Sequence, residues 1–236
     1  MNPNNLNSAI EFYVQIGDCM HDELRIKSTL LAQIMNEPCF DQLRTKEQLG
    51  YMVFSGLRKQ TCMIGLRIII QSEKSPIYLE SRIELFIVKL GSILEEMSIE
   101  EFNKHVTALS LQLIEKNKNL QEEVRKTWAH ITSKYYDFDQ NKRDSENVLK
   151  ITKEEMIAFY KKFLVSESPK RRKLSIHVES QQVGFNNRDD KIELLKRNNL
   201  MIDERELPSY KSRLGLGDAA KAVLPLSDYY DDRLVQ

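Results

Sequence analysis

The chain has 236 residues, 41% hydrophobic and 30% charged, a composition for one large globular domain or two modest ones that excludes wholesale disorder. Lys plus Arg equal Asp plus Glu at 35 each, so the formal net charge is zero and the basic excess of a dedicated nucleic-acid binder is missing. Gly (8) and Pro (6) together are about half the usual share, so long uninterrupted elements, mostly helices, are expected.

The three cysteines, Cys19, Cys39 and Cys62, are odd in number and lack metal-ligand spacing, which predicts free thiols in a reducing compartment. No stretch reaches the ~18 apolar residues that a bilayer-spanning helix needs. The start, Met1-Asn2-Pro3-Asn4-Asn5, has no apolar signal-peptide core. The expectation is a cytoplasmic protein with neither a membrane nor a nucleic acid as partner.

Taken in chain order, Ile10, Phe12, Val14 and Ile16 alternate as in a strand over Ser8 to Ile16, punctuated by Gly17-Asp18. Leu24, Ile26, Leu30, Leu31 and Ile34 recur at helical spacing from Asp22 to Met35. Asn36-Glu37-Pro38 is expected to stop that helix, because proline disfavours the helical region for the residue before it. A short helix, Phe40 to Gln48, closes at Gly50. Two strands follow, Tyr51 to Phe54 and Met63 to Gln71, joined by a loop from Ser55 to Thr61; the apolar run of the second predicts a central position. Ser75-Pro76 starts a helix of about five turns through Met97. Ser98-Ile99-Glu100-Glu101 opens another, and a third carries Leu120, Val124, Trp128, Ile131 and Tyr135. Thr152 caps a helix to about Leu164, and Arg171 to Glu179 returns to strand with Leu174, Ile176 and Val178 alternating.

This order predicts an α+β fold, an antiparallel-rich sheet with helices packed on one face. Residues 1–180 form the domain, and residues 181–236 read as an extended, partly ordered tail.

The four histidines, His21, His105, His130 and His177, are scattered, and no His-x-x-Glu-His or His-Glu-x-x-His occurs. No zinc site is expected from this chain. His177 reads as a half-exposed strand residue opposite Ile176 and Val178. There is no Gly-x-Ser-x-Gly and no phosphate-binding glycine loop. What remains is the segment from Glu37 to Tyr51. Arg44 and Tyr51 flank a helix-to-strand junction, one bringing a rigid fork of donors and the other a phenolic hydroxyl. Together such groups can hold a substrate carbonyl and a developing oxyanion. On spacing alone the blander alternative has more weight: Arg44 pairs with Glu47, and Tyr51 is half buried.

The run Leu43-Arg44-Thr45-Lys46-Glu47-Gln48-Leu49-Gly50-Tyr51, followed by Val53-Phe54-Ser55-Gly56, resembles the C-terminal quarter of insulysin-type enzymes. These belong to the inverted-zincin (pitrilysin, M16) metallopeptidase family. The resemblance continues through Gln71-Ser72-Glu73-Lys74, Tyr78 to Arg82, Leu149 to Tyr160 and Lys173 to Val178, and covers most of residues 8–180. It implies the fourth of four homologous α+β domains that enclose a chamber. Zinc is then a cofactor of the full enzyme, bound by its N-terminal half, and none is bound by this chain. By position, Arg44 and Tyr51 become the substrate-contacting residues, which reverses the weight given to the blander alternative. The family's polyanion site falls near Glu115 to Gln121. Lys116 and Lys118 remain there as candidate contacts, but Gln112, Leu113, Asn117 and Asn119 replace more basic positions, which weakens phosphate binding.

The resemblance thus implies part of a zinc metalloendopeptidase, a hydrolase that degrades peptides. Its partners are the N-terminal half of the same enzyme and peptide substrates, with a homo-oligomer as a further possibility. The isolated chain is expected to be inactive. Two other classes stay open: a non-catalytic binding or assembly module of the same fold, and a polyanion-responsive regulatory domain. A His-x-x-Glu-His domain encoded upstream would favour the enzyme.

Overall fold

The computed structural model describes residues 6–60, 62–180 and 201–214. Two compact units divide it. The larger holds Asn7–Glu179, and the described residues 201–214 fall in the smaller.

In the larger unit, strands β1 (Ser8–Asp18), β2 (Met52–Gln60), β3 (Met63–Ser72) and β4 (Arg172–Val178) form one antiparallel sheet in the order β2-β3-β1-β4. Helices α1 (Asp22–Cys39) and α2 (Pro76–Glu96) cover one face, α1 across β2 and β3, α2 across β1 and β4. Outside them lie α3 (Ile99–Leu113), α5 (Gln140–Val148) and α6 (Lys153–Phe163), with α4 (Leu120–Thr132) between α3 and α5 in sequence. This is the expected α+β architecture, and β3 is interior as its apolar run predicts. Ile10, Phe12 and Val14 of β1 and Ile64, Leu66, Ile68 and Ile70 of β3 are buried at period two against the helices.

Three caps are where the sequence places them. The hydroxyls of Ser75, Ser98 and Thr152 accept from the N–H groups of Tyr78, Glu101 and Glu155. At the other end of α2, the Lys153 ammonium donates to the carbonyls of Glu95 and Met97 at 2.8 and 2.6 Å, a cation against unpaired helix-end acceptors.

The structure departs from the sequence reading or adds to it at four places. Pro38 does not stop α1; it sits inside the helix. The N–H of Phe40 still reaches the carbonyls of Asn36 and Glu37, and the chain widens into a π-helical turn, Phe40–Lys46, where Glu47 N–H reaches Gln42. The fully buried side chains of Met35, Cys39 and Leu43 anchor the backbone on both sides of the proline, which overrides its local preference. The region Ser55 to Thr61 is not a loop up to Gln60: β2 runs to that residue, paired with Met63. Helix α5 goes unread because its buried residues are largely polar: Gln140, Asp144 and Ser145.

The fourth place is β4. Leu174, Ile176 and Val178 are exposed, and the strand turns its polar face to the helices. Ser175 and His177 stand beside Phe12 and Ile10 on the inner side. Glu80 of α2 explains this. It accepts from His177 Nε2 at 2.7 Å and Lys173 Nζ at 2.6 Å, while Glu84 pairs with Arg171 at 2.6 Å. Two carboxylates four residues apart on α2 require donors opposite, so the apolar set takes the open side.

A second polar contact lies deeper. The guanidinium of Arg25, 1% exposed, donates to both oxygens of Asp144 (2.8 and 2.6 Å), to Asp22 (2.6 Å) and to the Cys19 carbonyl (3.0 Å). It joins α1, α5 and the end of β1. In the smaller unit, Asp203 and Glu206 form a reciprocal capping box that leads through a 3-10 turn (Glu204–Glu206) into α7 (Leu207–Arg213). Residues 181–200 and 215–236 of the tail lie outside the described residues.

Two outcomes follow from these contacts. Removing one partner of a buried ion pair strands the other charge, so Asp144→Ala is expected to destabilise the fold by about 3–5 kcal/mol in chemical denaturation. Burial pushes the Glu80 carboxyl up, but His177 and Lys173 outweigh it and hold it down to about 2. A depressed carboxylate stabilises above its unfolded value and loses that contribution as pH falls through its folded one. The melting temperature should therefore drop as pH falls from about 4.5 toward about 2, and Glu80→Gln should remove this component of the slope.

Candidate functional site

The segment between α1 and β2 is fixed before its exposed groups are considered. Leu43 and Leu49 are buried plugs, and Leu49 N–H returns to the Leu43 carbonyl. Glu47 accepts from Arg82 Nε and Gln42 Nε2, both at 2.6 Å, and the Arg82 guanidinium holds its carboxyl below the usual range. Gln48 takes the left-handed turn at φ 50, so Gly50 is not the turn residue. Gly50 serves a different need. A Cβ there would lie 1.9 Å from the Gln71 carbonyl oxygen of β3. Ser72 Oγ donates to the Leu49 carbonyl and completes the seam.

Tyr51 emerges from this seam 86% exposed. Arg44, on the π-helical turn, is close to two rings, its guanidinium carbon 5.3 Å from the Phe40 centroid and 5.1 Å from that of Tyr51. Its Nη1 donates to the Tyr51 carbonyl. Glu47 pairs with Arg82 rather than Arg44, so the geometry departs from the blander alternative on both counts. Two clefts meet at Tyr51. One, of about 490 Å³, is lined by Arg44, Phe54, Arg67 and Ile69 among others. The other, of about 740 Å³, is lined by Gln48, Gly50, Gln71 and Lys74 among others. Arg67 stacks 5.1 Å over Phe54 on the open sheet face.

Phe40, Phe54 and Arg67 were not singled out from the sequence. Phe40 was within reach, since residues four apart on a helix are neighbours. Arg67 and Phe54 need the β2–β3 register, which the expected loop at Ser55 obscured.

Residues 30–128 match the family of PQQ synthase PqqF-like proteins, C-terminal lobe domain 4. The human insulin-degrading enzyme is 44% identical over 177 residues, covering 75% of this chain and 17% of that protein. The A-factor-processing enzyme of Saccharomyces cerevisiae is 42% identical over 177 residues, with the same shares of 75% and 17%. The crystal structure of pitrilysin superposes with a TM-score of 0.67 at 26% identity, covering 77% of this chain and 19% of that one. The chain belongs to the M16 metallopeptidase family. It is homologous to the C-terminal part of insulin-degrading enzymes and spans about a sixth of the length of these curated relatives. The inactive peptidase domain of a putative zinc protease from Bordetella parapertussis has the same fold, with a TM-score of 0.56 at 11% identity over 75% of this chain and 96% of that one.

The M16 relationship raises the question of zinc. Among the described residues, no three His, Cys, Asp or Glu side chains converge to hold a metal ion, and the donors described there do not make the three-ligand set of a catalytic zinc. Ser175, His177 and Glu80 touch, but Ser175 Oγ and Glu80 both meet the same ring nitrogen, Nε2, so the histidine cannot relay a proton between them. Burial pushes the Cys39 thiol up to about 12, far from nucleophilic use. Lys116 and Lys118 are exposed in the turn between α3 and α4, where Glu122 accepts from the Lys118 N–H. That carboxylate competes with any anion at the helix start.

Gly50→Ala is the sharpest test of the seam. The added methyl meets backbone that cannot step aside, so β2 must shift from β3 at its start. The expected outcome is a folded domain of lowered melting temperature, with faster hydrogen exchange at Tyr51–Val53 than in the parent.

Proposed function

We propose that this domain forms one wall of the peptide-degrading chamber of an insulysin-like zinc endopeptidase, with Arg44 and Tyr51 as its substrate-contacting groups. The observation that carries this reading is the exposed Tyr51 ring, stacked on Arg44 at the meeting of two clefts, in a domain homologous to part of such enzymes. Zinc, its ligands and the general base belong to the N-terminal half, the partner that completes the site. When bound there, zinc supplies Lewis-acid polarisation and an activated water. The odd number of cysteines, without metal-ligand spacing, supports a reducing compartment such as the cytoplasm. None of the described helices is long and apolar enough to cross a membrane.

In this reading the Tyr51 hydroxyl donates to the oxyanion that develops on the scissile carbonyl. Arg44 holds the Tyr51 ring by stacking and fixes its backbone through the carbonyl. The rest of its guanidinium lines the cleft and can hold a substrate backbone carbonyl in ground and transition states alike. Phe54, Ile69 and Arg67 form the floor beside them. Lys116 and Lys118 have no part in this site.

Leu120, Val124 and Trp128, spaced four apart on α4 and exposed, favour a second reading, a non-catalytic assembly module. Kinetics on the complete enzyme separate the two. Tyr51→Phe keeps the ring and removes one donor, so kcat should fall by roughly 10²–10³-fold with little change in melting temperature. Arg44→Ala should raise KM and lower kcat together. A Tyr51→Phe enzyme with kcat within about twofold of the parent is far from the loss of an oxyanion donor and would reject the Tyr51 role.

A further inference from the structure

The sequence contains two Ser-Pro dipeptides, Ser75-Pro76 and Ser168-Pro169, and the fold treats them differently. Ser75 caps α2, and Pro76 is buried in the first turn of that helix. Ser168-Pro169 lies in the connection from α6 to β4, residues 164–171, where Pro169 is exposed along with Ser166, Glu167 and Lys170. The Arg171 N–H donates to the Ser168 carbonyl at 3.1 Å, closing a β-turn with proline at its second position. Four cations follow this dipeptide, Lys170-Arg171-Arg172-Lys173, whereas Ile77-Tyr78 follow the other.

The Ser168 hydroxyl holds the turn. It donates to the Lys162 carbonyl, an acceptor in the last turn of α6, and accepts from the Lys170 N–H at 3.3 Å. Leu164 and Val165 pack against the core, and the residues beyond them depend on polar contacts. At the far end of the turn Arg171 reaches back to α2. Its Nη2 donates to Glu84 at 2.6 Å, while its Nε is buried with no hydrogen-bond partner among the described residues.

We propose that Ser168 is a phosphorylation site for a proline-directed protein kinase, and that its phosphate opens the turn between α6 and β4. A kinase pocket without a hydrogen-bond acceptor beside the residue after the target serine favours proline there. Any other residue would leave an N–H unsatisfied. Acidic groups further along such a cleft take cations, and Lys170 and Arg172 are exposed to meet them. Buried Pro76 cannot enter such a pocket. In the transfer, Ser168 Oγ attacks the γ-phosphorus of ATP, the bond from that phosphorus to the oxygen bridging the β-phosphate breaks, and ADP leaves. The hydroxyl proton passes to the catalytic carboxylate of the kinase. The phosphate has only acceptors to offer the Lys162 carbonyl and lies at the negative end of α6, where an anion is disfavoured. Arg171, with a donor to spare, attracts it in competition with Glu84. The hold of α2 on the start of β4 weakens as the turn opens.

The test uses the 236-residue chain with magnesium-ATP and a purified cyclin-dependent kinase. Peptide mapping should place a phosphate at Ser168 and none at Ser75. Ser168→Ala should lose that phosphate. Pro169→Ala, which restores an N–H, should slow labelling by roughly tenfold, the worth of one unmade hydrogen bond. Melting curves of both variants establish that each is folded. Hydrogen exchange over residues 164–174 should rise several-fold on phosphorylation and return after phosphatase treatment. An unlabelled Ser168 in the folded chain would overturn the site, whether or not a synthetic peptide of residues 164–174 reacts. Labelling of Ser75 in its place, or a Pro169→Ala chain labelled as fast as the parent, would overturn the recognition. A phosphorylated chain with unchanged exchange over residues 164–174 would overturn the opening of the turn.

Discussion

The seam between Gly50 and Gln71 sets the terms for the exposed part of this domain. Two backbones touch where any side chain would intrude, and Ser72 ties the preceding carbonyl down across the same gap. Backbone contact of this kind removes the freedom a loop would otherwise have. Tyr51 can therefore be almost fully exposed and still be held in place, because its position is decided one residue earlier. Leu43 and Leu49 contribute the apolar burial, and Glu47 with Arg82 locks the turn against α2. The charged and aromatic groups at the surface inherit a fixed frame and do not have to build one.

The sheet is one-sided, and its edge strand makes the point most clearly. Helix α2 brings Glu80 and Glu84 against β4, and a carboxylate near a sheet must find donors or stay in water. Lys173, His177 and Arg171 supply those donors, which commits the inner face of β4 to polar residues. Leu174, Ile176 and Val178 are left on the open face beside Tyr13 and Glu11 of β1. The same face carries the Arg58–Glu11 ion pair and Arg67 stacked on Phe54. It mixes apolar area with paired charge.

Much of this was legible. The period-two burial of β1 and β3 and the capping hydroxyls of Ser75, Ser98 and Thr152 are local signals, and local signals survive folding. The failures share one cause, in that a tertiary partner outweighed a local rule. Pro38 is helical because Cys39 and Leu43 are anchored in the core. Helix α5 is invisible to a hydrophobic period because it buries Asp144 against Arg25. In strand β4 alternation gives a period but not a direction, and only the carboxylates of α2 choose between the two faces. For the site, Arg44 and Tyr51 could be found from the helix-to-strand junction. Phe40 was one helical turn away, whereas Arg67 and Phe54 needed a register that no single segment encodes.

Arg44 resolves a conflict built into an exposed phenol. For a hydroxyl to meet a ligand it must face solvent, yet a solvated ring has rotamer freedom that blurs its aim. Packing the ring into the core would fix it and remove the hydroxyl from reach. A guanidinium stacked on the ring restrains it from the side while leaving the oxygen open. Planarity makes this possible: the guanidinium carbon lies over the Phe40 and Tyr51 rings, and an N–H donates to the Tyr51 carbonyl. An ammonium on a flexible stem has no faces to stack and no fixed fork, so lysine would keep the charge at position 44 and lose the alignment. The pairing of arginine and tyrosine across this junction is thus one device: the cation contributes geometry to the phenol as well as charge to the cleft.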